Sequence, residues 1–141
     1  MESAPDGIFP LTQDTAPAAY DWMFAPWVKE LGLTDIILRE GFASLRLPLQ
    51  DKLKFAAGAV CGQALMAAID TAAAMAAATG QRPVRGTIYQ HTHFLRPASN
   101  DDFIIEANVV RFGKTSCYLN VKVTYAGSGA LVADAVLEFA L

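Results

Sequence analysis

The chain has 141 residues, 53% hydrophobic and 18% charged, which suits one domain with a packed core and excludes a disordered chain. Fourteen acidic against eleven basic residues leave a net charge of -3, without the basic footprint of a nucleic-acid-binding protein. Cys61 and Cys117 are too few for a disulfide scaffold, and no charged start followed by an apolar core opens the chain, so a reducing cytoplasm is the expected compartment.

Residues 1–17 hold three of the seven prolines and show no periodicity, so they read as a flexible leader to a single domain over 18–141. Over 18–31, Tyr20, Phe24, Trp27 and Leu31 recur at three- and four-residue steps and predict one helix that Gly32 ends. Between 36 and 49, Ala43, Leu45, Leu47 and Leu49 alternate with Ser44 and Arg46, the period of a strand covered on one face. The stretch 56–79 is long enough to suggest a membrane span, yet 12 of its 24 residues are alanine and it carries Gln63 and Asp70. An aspartate at the centre of a spanning helix costs about 2.5–3.5 kcal/mol, so the spacing predicts a buried helix over 60–79 instead, stopped by Gly80. Strands follow over 84–95 and 103–112, then along Cys117, Leu119, Val121, Val123 and Tyr125, and along Leu131 to Leu141. One-sided alternation in consecutive strands beside a long helix makes the chain α+β, with a mainly antiparallel sheet packed on that helix.

Asp70 is the residue most out of place, because an ionised carboxylate amid apolar side chains requires compensation. Gln63 lies seven residues earlier, and seven steps of about 100° return to nearly the same face, so the two form one polar stripe. A satisfied structural aspartate and a general base or nucleophile tuned by burial are both consistent with that spacing. Cys61 with His91 offers the residue types of a Cys–His nucleophile without a third orienting group. His91 and His93 share a strand face at a spacing that suits a metal, but no third ligand accompanies them, and no metal is expected.

The run Cys61-Gly62-Gln63-Ala64-Leu65-Met66-Ala67-Ala68-Ile69-Asp70-Thr71-Ala72 resembles the His-Gly-Gly…Asp-x-Ala helix of hotdog-fold acyl-CoA thioesterases, of the phenylacetate-pathway and hydroxybenzoyl-CoA thioesterase-like types. Phe94-Leu95-Arg96-Pro97-Ala98 resembles the end of their second strand, and Arg111-Phe112-Gly113-Lys114 their next turn. The resemblance implies a curved antiparallel sheet wrapped around a long central helix. It implies hydrolysis of an acyl-CoA, medium-chain or aromatic, to the free acid and CoA, with CoA entering only as part of the substrate and no separate cofactor. It gives Asp70 the role of base or nucleophile and the Gly62 N–H that of oxyanion donor. Thr87 stands where some relatives keep a hydroxyl that holds the attacking water, and the Gln63 amide, which both donates and accepts, is read either as a helper at the thioester or as a cap of the helix start. The chain departs from the family at Cys61 for its His, at Gln63 for its second Gly and at Phe55 for its Asn.

Eight residues at about 1.5 Å each separate Gly62 from Asp70 by about 12 Å, so one thioester reaches both only if they come from two copies of the helix. A homodimer or a dimer of dimers is therefore expected, consistent with the resemblance. Arg111 and Lys114 are the candidates for the phosphates of CoA, with Arg82, Arg85 and Arg96 behind them. Met66, Ala73, Ala74 and aromatic residues of the first helix are expected to line the acyl pocket. Two other readings stay open: an acyl-CoA-binding module that has lost catalysis at Cys61 and Gln63, and a hydratase or dehydratase using His91 or His93.

Overall fold

The computed structural model describes residues 3–141. Two short helices, α1 (Ala16–Met23) and α2 (Pro26–Lys29), precede the strands β1 (Thr34–Arg39) and β2 (Phe42–Leu47). The long helix α3 (Gly62–Ala77) follows, and then β3 (Gly86–Phe94), β4 (Phe103–Phe112), β5 (Ser116–Tyr125) and β6 (Leu131–Ala140). All pairings are antiparallel in one six-stranded sheet of order β1-β2-β4-β5-β6-β3, and α3 packs against all six strands. The α+β reading holds.

The core is a set of cross-strand rows facing α3. Leu45, Ile105, Val123 and Ala133 lie opposite one another in register, as do Ala43, Ala107, Val121 and Ala135, and all are buried. Small residues on α3 meet these rows: Ala68, Ala72, Ala73, Ala76 and Ala77 are fully buried, which lets the sheet backbone approach the helix closely. A third row, Cys117, Phe139 and Thr87, carries the inner face out to β3 and aims Thr87 toward the helix.

Three expectations change. The single strand over 36–49 is a hairpin, broken at Gly41, whose φ of 74° is a left-handed value that glycine adopts without strain. The alternation slips across that turn, so that Leu38 is buried in β1 while the odd positions of β2 face the core. The helix over 18–31 is two helices, because Pro26 has no N–H to continue α1 and instead starts α2, leaving Trp27 61% exposed. The flexible leader is seated instead. Its residues 1 and 2 lie outside the described residues, but Ile8 and Leu11 are buried and the Leu11 N–H donates to the Ala78 carbonyl at 2.9 Å. The Gln13 side chain donates to the Ile36 carbonyl and accepts from the Leu38 N–H, at 2.8 and 2.7 Å, which fastens the segment to β1.

The Phe94-to-Ala98 motif positions the start of α3. The Phe94 ring lies 3.2 Å from where a Cβ on Gly62 would stand, and the Ala98 carbonyl accepts the Val60 N–H at 2.8 Å. Just beyond the other end of the helix, the Gly41 N–H donates to Thr79 Oγ1 at 2.8 Å, joining the hairpin turn to the segment that leaves α3.

Candidate active site

Asp70 lies midway along α3, half-buried, and its Oδ1 accepts a 2.7 Å hydrogen bond from the Thr87 hydroxyl of β3. Burial pushes its carboxyl above the ordinary 3.8, and the Thr87 hydrogen bond pulls it back down. The pair forms one wall of an open, mostly apolar cleft of about 590 Å3, to which Phe9, Trp22, Met23, Phe24, Ala74 and Phe139 also contribute. The carboxylate is thus held through one oxygen in a cleft whose other lining is mostly apolar, with Arg85 as its cationic member.

Gly62 opens α3 behind Cys61, whose side chain does not cap the helix. Among the described residues the Gly62 and Gln63 N–H groups have no partner, and they sit at the positive end of the helix dipole. These donors are not beside Asp70 in the same chain: α3 is one uninterrupted helix, and about 12 Å of it lies between them. Gln63 is exposed in a separate cleft of about 340 Å3 with Trp27, Lys52 and Leu53.

Arg111 and Lys114 share a third cleft with Arg82 and Glu40, and the Arg82 guanidinium donates to the Lys114 carbonyl at 2.9 Å. A shallow depression joins this basic corner to the Asp70 cleft, because Arg82 and Lys114 line it together with Pro83 and Arg85, and those two also line the Asp70 cleft.

Other candidates are dispersed. Gln90 of β3 reaches the Met66 carbonyl on α3, so the alternating His91 and His93 occupy the opposite face of the sheet, exposed, with their Nε2 atoms 3.2 Å apart. That separates both histidines from Asp70 and from Cys61, leaving neither a Cys–His pair nor a histidine over the carboxylate within the chain. Among the described residues no group of three metal-ligating side chains occurs. Cys117 is buried, which pushes its thiol up to about 11 and leaves it an inert core residue. Of the expected acyl-pocket residues, Ala74 and Phe24 line the Asp70 cleft, joined by Trp22 of α1, whereas Tyr20 does not line it, Trp27 lines the Gln63 cleft, Ala73 is buried in the core and Met66 is exposed away from it. Sequence reasoning missed Phe9, because its segment carries no periodicity.

A profile of the thioesterase superfamily matches residues 57–131, a stretch that contains α3 and β3 to β5. The chain belongs to the thioesterase superfamily. No curated protein matches it by sequence. Among solved structures it is similar to zebrafish thioesterase superfamily member 2, with a TM-score of 0.82 and 20% identity, covering 93% of this chain and 99% of that one. It is similar to the Escherichia coli PaaI protein from the phenylacetic acid degradation operon, with a TM-score of 0.78 and 25% identity over 89% of this chain and 88% of that one. It is also similar to a Streptococcus mutans protein bound to acetyl-CoA, with a TM-score of 0.71 and 19% identity over 76% of this chain and 87% of that one. The sheet wrapped around α3 is thus the hotdog fold of this thioesterase superfamily member, and the three motif resemblances fall on α3, on the end of β3 and on the β4–β5 turn.

Proposed function

We propose that this protein is an acyl-CoA thioesterase that hydrolyses a medium-chain or aromatic acyl-CoA in the cytoplasm, with Asp70 as its base or nucleophile. The observation that carries this reading is the Thr87–Asp70 hydrogen bond at the wall of an apolar cleft. In the water-activated form, Asp70 takes a proton from water as the water oxygen bonds to the thioester carbon. The carbonyl oxygen, now negative, is received by the Gly62 N–H, and the tetrahedral species collapses by breaking the C–S bond. The CoA thiolate leaves with the proton that Asp70 took from water, which restores the carboxylate, and the acid remains. Thr87 occupies one carboxylate oxygen and so presents the other to the water. Gln63, one residue into the helix, supplies an amide that can hold the thioester group.

Because Gly62 and Asp70 lie apart on one rigid helix, each reaction centre takes its donor from one subunit and its carboxylate from another. The free edge of β3, at one end of the sheet, supports the way they meet: among the described residues no strand pairs with its outer side, and Ile88, Tyr89 and Phe94 are exposed along it. A second copy adding its own β3 there forms the homodimer, from which a dimer of dimers is a further step. Arg111 and Lys114, with Arg82, supply positive charge for the CoA phosphates.

The test is release of CoA thiol from short, medium, long and aromatic acyl-CoAs by wild type and by Asp70→Asn at matched folding and oligomeric state. At least about 10²-fold loss in the variant is expected. An unchanged rate removes Asp70 from the chemistry. Binding without release in the wild type supports the second reading, a non-catalytic acyl-CoA-binding module, which the Cys61 and Gln63 replacements favour. The phosphate contacts have their own check: Arg111→Ala and Lys114→Ala should raise KM for an acyl-CoA and leave KM for the matching acyl-pantetheine, which lacks the nucleotide, unchanged.

A further inference from the structure

The cleft beside Asp70 is not walled by the helix and sheet alone. Phe9 and Trp22 meet there edge to face, with ring centroids 5.9 Å apart and planes at 72°, on a segment that precedes the matched stretch 57–131. Both rings keep much of their surface in water, 40% and 37% exposed, although the chain that carries them is fixed at Ile8, Leu11 and Gln13. Rigid aromatic rings left partly bare at the side of a cleft provide a ready apolar contact for what enters it. Across the cleft, Ala74 offers only a methyl group, so α3 leaves the space open. Arg85 is the cationic residue lining this cleft, and it belongs also to the depression that leads to Arg82 and Lys114. The charged end of a ligand is thereby drawn toward Arg85 and its apolar end toward the two rings.

We infer that Phe9 and Trp22 form a specificity wall for the acyl group, so that the amino-terminal segment determines how strongly the site prefers a bulky acyl chain over acetyl. This rests on the thioesterase reading of the Asp70 cleft. Each ring contacts the distal atoms of a bulky acyl group, which acetyl lacks, so its removal weakens the first substrate more than the second.

The experiment compares kcat/KM for octanoyl-CoA with that for acetyl-CoA in wild type, Phe9→Ala and Trp22→Ala. The octanoyl-to-acetyl ratio is expected to fall roughly two- to twelvefold in each variant, the range of an aromatic contact. A ratio that stays within twofold of wild type in both variants, or that rises, overturns the proposal. A direct measurement covers variants that fold poorly. With Asp70→Asn to prevent turnover and Trp27→Phe to leave Trp22 as the lone fluorophore of the two tryptophans, octanoyl-CoA should shift Trp22 emission saturably while CoA alone does not. No shift with octanoyl-CoA, or an equal shift with CoA alone, counts against the wall. Octanoyl-specific shift without hydrolysis by the wild type would uphold the wall and reject the thioesterase reading, whereas hydrolysis with an unchanged ratio would do the reverse.

Discussion

At the scale of single residues, the Asp70 carboxyl answers to two opposed influences, and both are measurable. Burial raises it in the folded protein, so folding takes up a proton between the unfolded and folded values. Stability from this group is therefore complete below the unfolded value and is lost as the pH climbs through the folded one. At neutral pH the ionised Asp70 weakens the fold, and Asp70→Asn should melt at a higher temperature than wild type, the difference closing as the pH drops below the ordinary 3.8. Thermal melts across that range check it. Thr87 acts in the other direction. Thr87→Val removes the hydroxyl and keeps the shape, so the acidic limb of kcat/KM should move to higher pH; a limb that stays in place would mean that the hydrogen bond does not govern the ionisation. The sequence marked Asp70 as anomalous because a carboxylate among alanines is costly. It could not show from periodicity that Thr87, seventeen positions on, is its partner, since that contact depends on the register of β3 with β6.

Among the elements, those governed by local pattern were legible and those governed by distant contacts were not. The alanine run fixed α3 to within a few residues, and strict alternation located β4, β5 and β6. The hairpin of β1 and β2 reads as one strand because only Arg39, Glu40 and Gly41 separate the apolar residues of its two arms, although Gly41 itself is the available signal. The seating of the amino-terminal segment was invisible because its partners, Ala78 and β1, lie far along the chain. The β4–β5 turn offers a test of how closely this architecture is packed. A Cβ at Gly113 would stand 2.7 Å from the Ser116 carbonyl oxygen, a backbone atom with no side-chain freedom to retreat. Gly113→Ala is therefore expected to cost about 1–3 kcal/mol in chemical denaturation, the usual range for forced overpacking.

For the whole molecule, the decisive arrangement is the separation of Gly62 from Asp70 on one helix. Gly62→Pro deletes the Gly62 N–H at the first position of α3, where Cys61, with ψ 148°, is already extended as a residue before proline must be; its added carbons crowd the Phe94 ring, which would lie 3.2 Å from the new Cβ, so the variant is used at matched folding and oligomeric state. With the site shared between two subunits as proposed, Gly62→Pro and Asp70→Asn chains are each expected to be inactive alone, while a mixed dimer would pair the intact Gly62 of one with the intact Asp70 of the other. Random 1:1 mixing after dissociation should therefore restore about a quarter of the wild-type sites. Thiol-release assays on the remixed chains check this, and no recovery would place both groups in one subunit.

The open edge of β3 also has a kinetic meaning. If catalysis requires another copy to complete that edge, the working enzyme is a product of association, and its rate per chain depends on how much protein is present. Diluted below its dissociation constant, the protein would lose activity with every chain still folded, and substrate bridging two subunits would hold them together. Expression level would then act as a threshold for activity rather than as a simple multiplier.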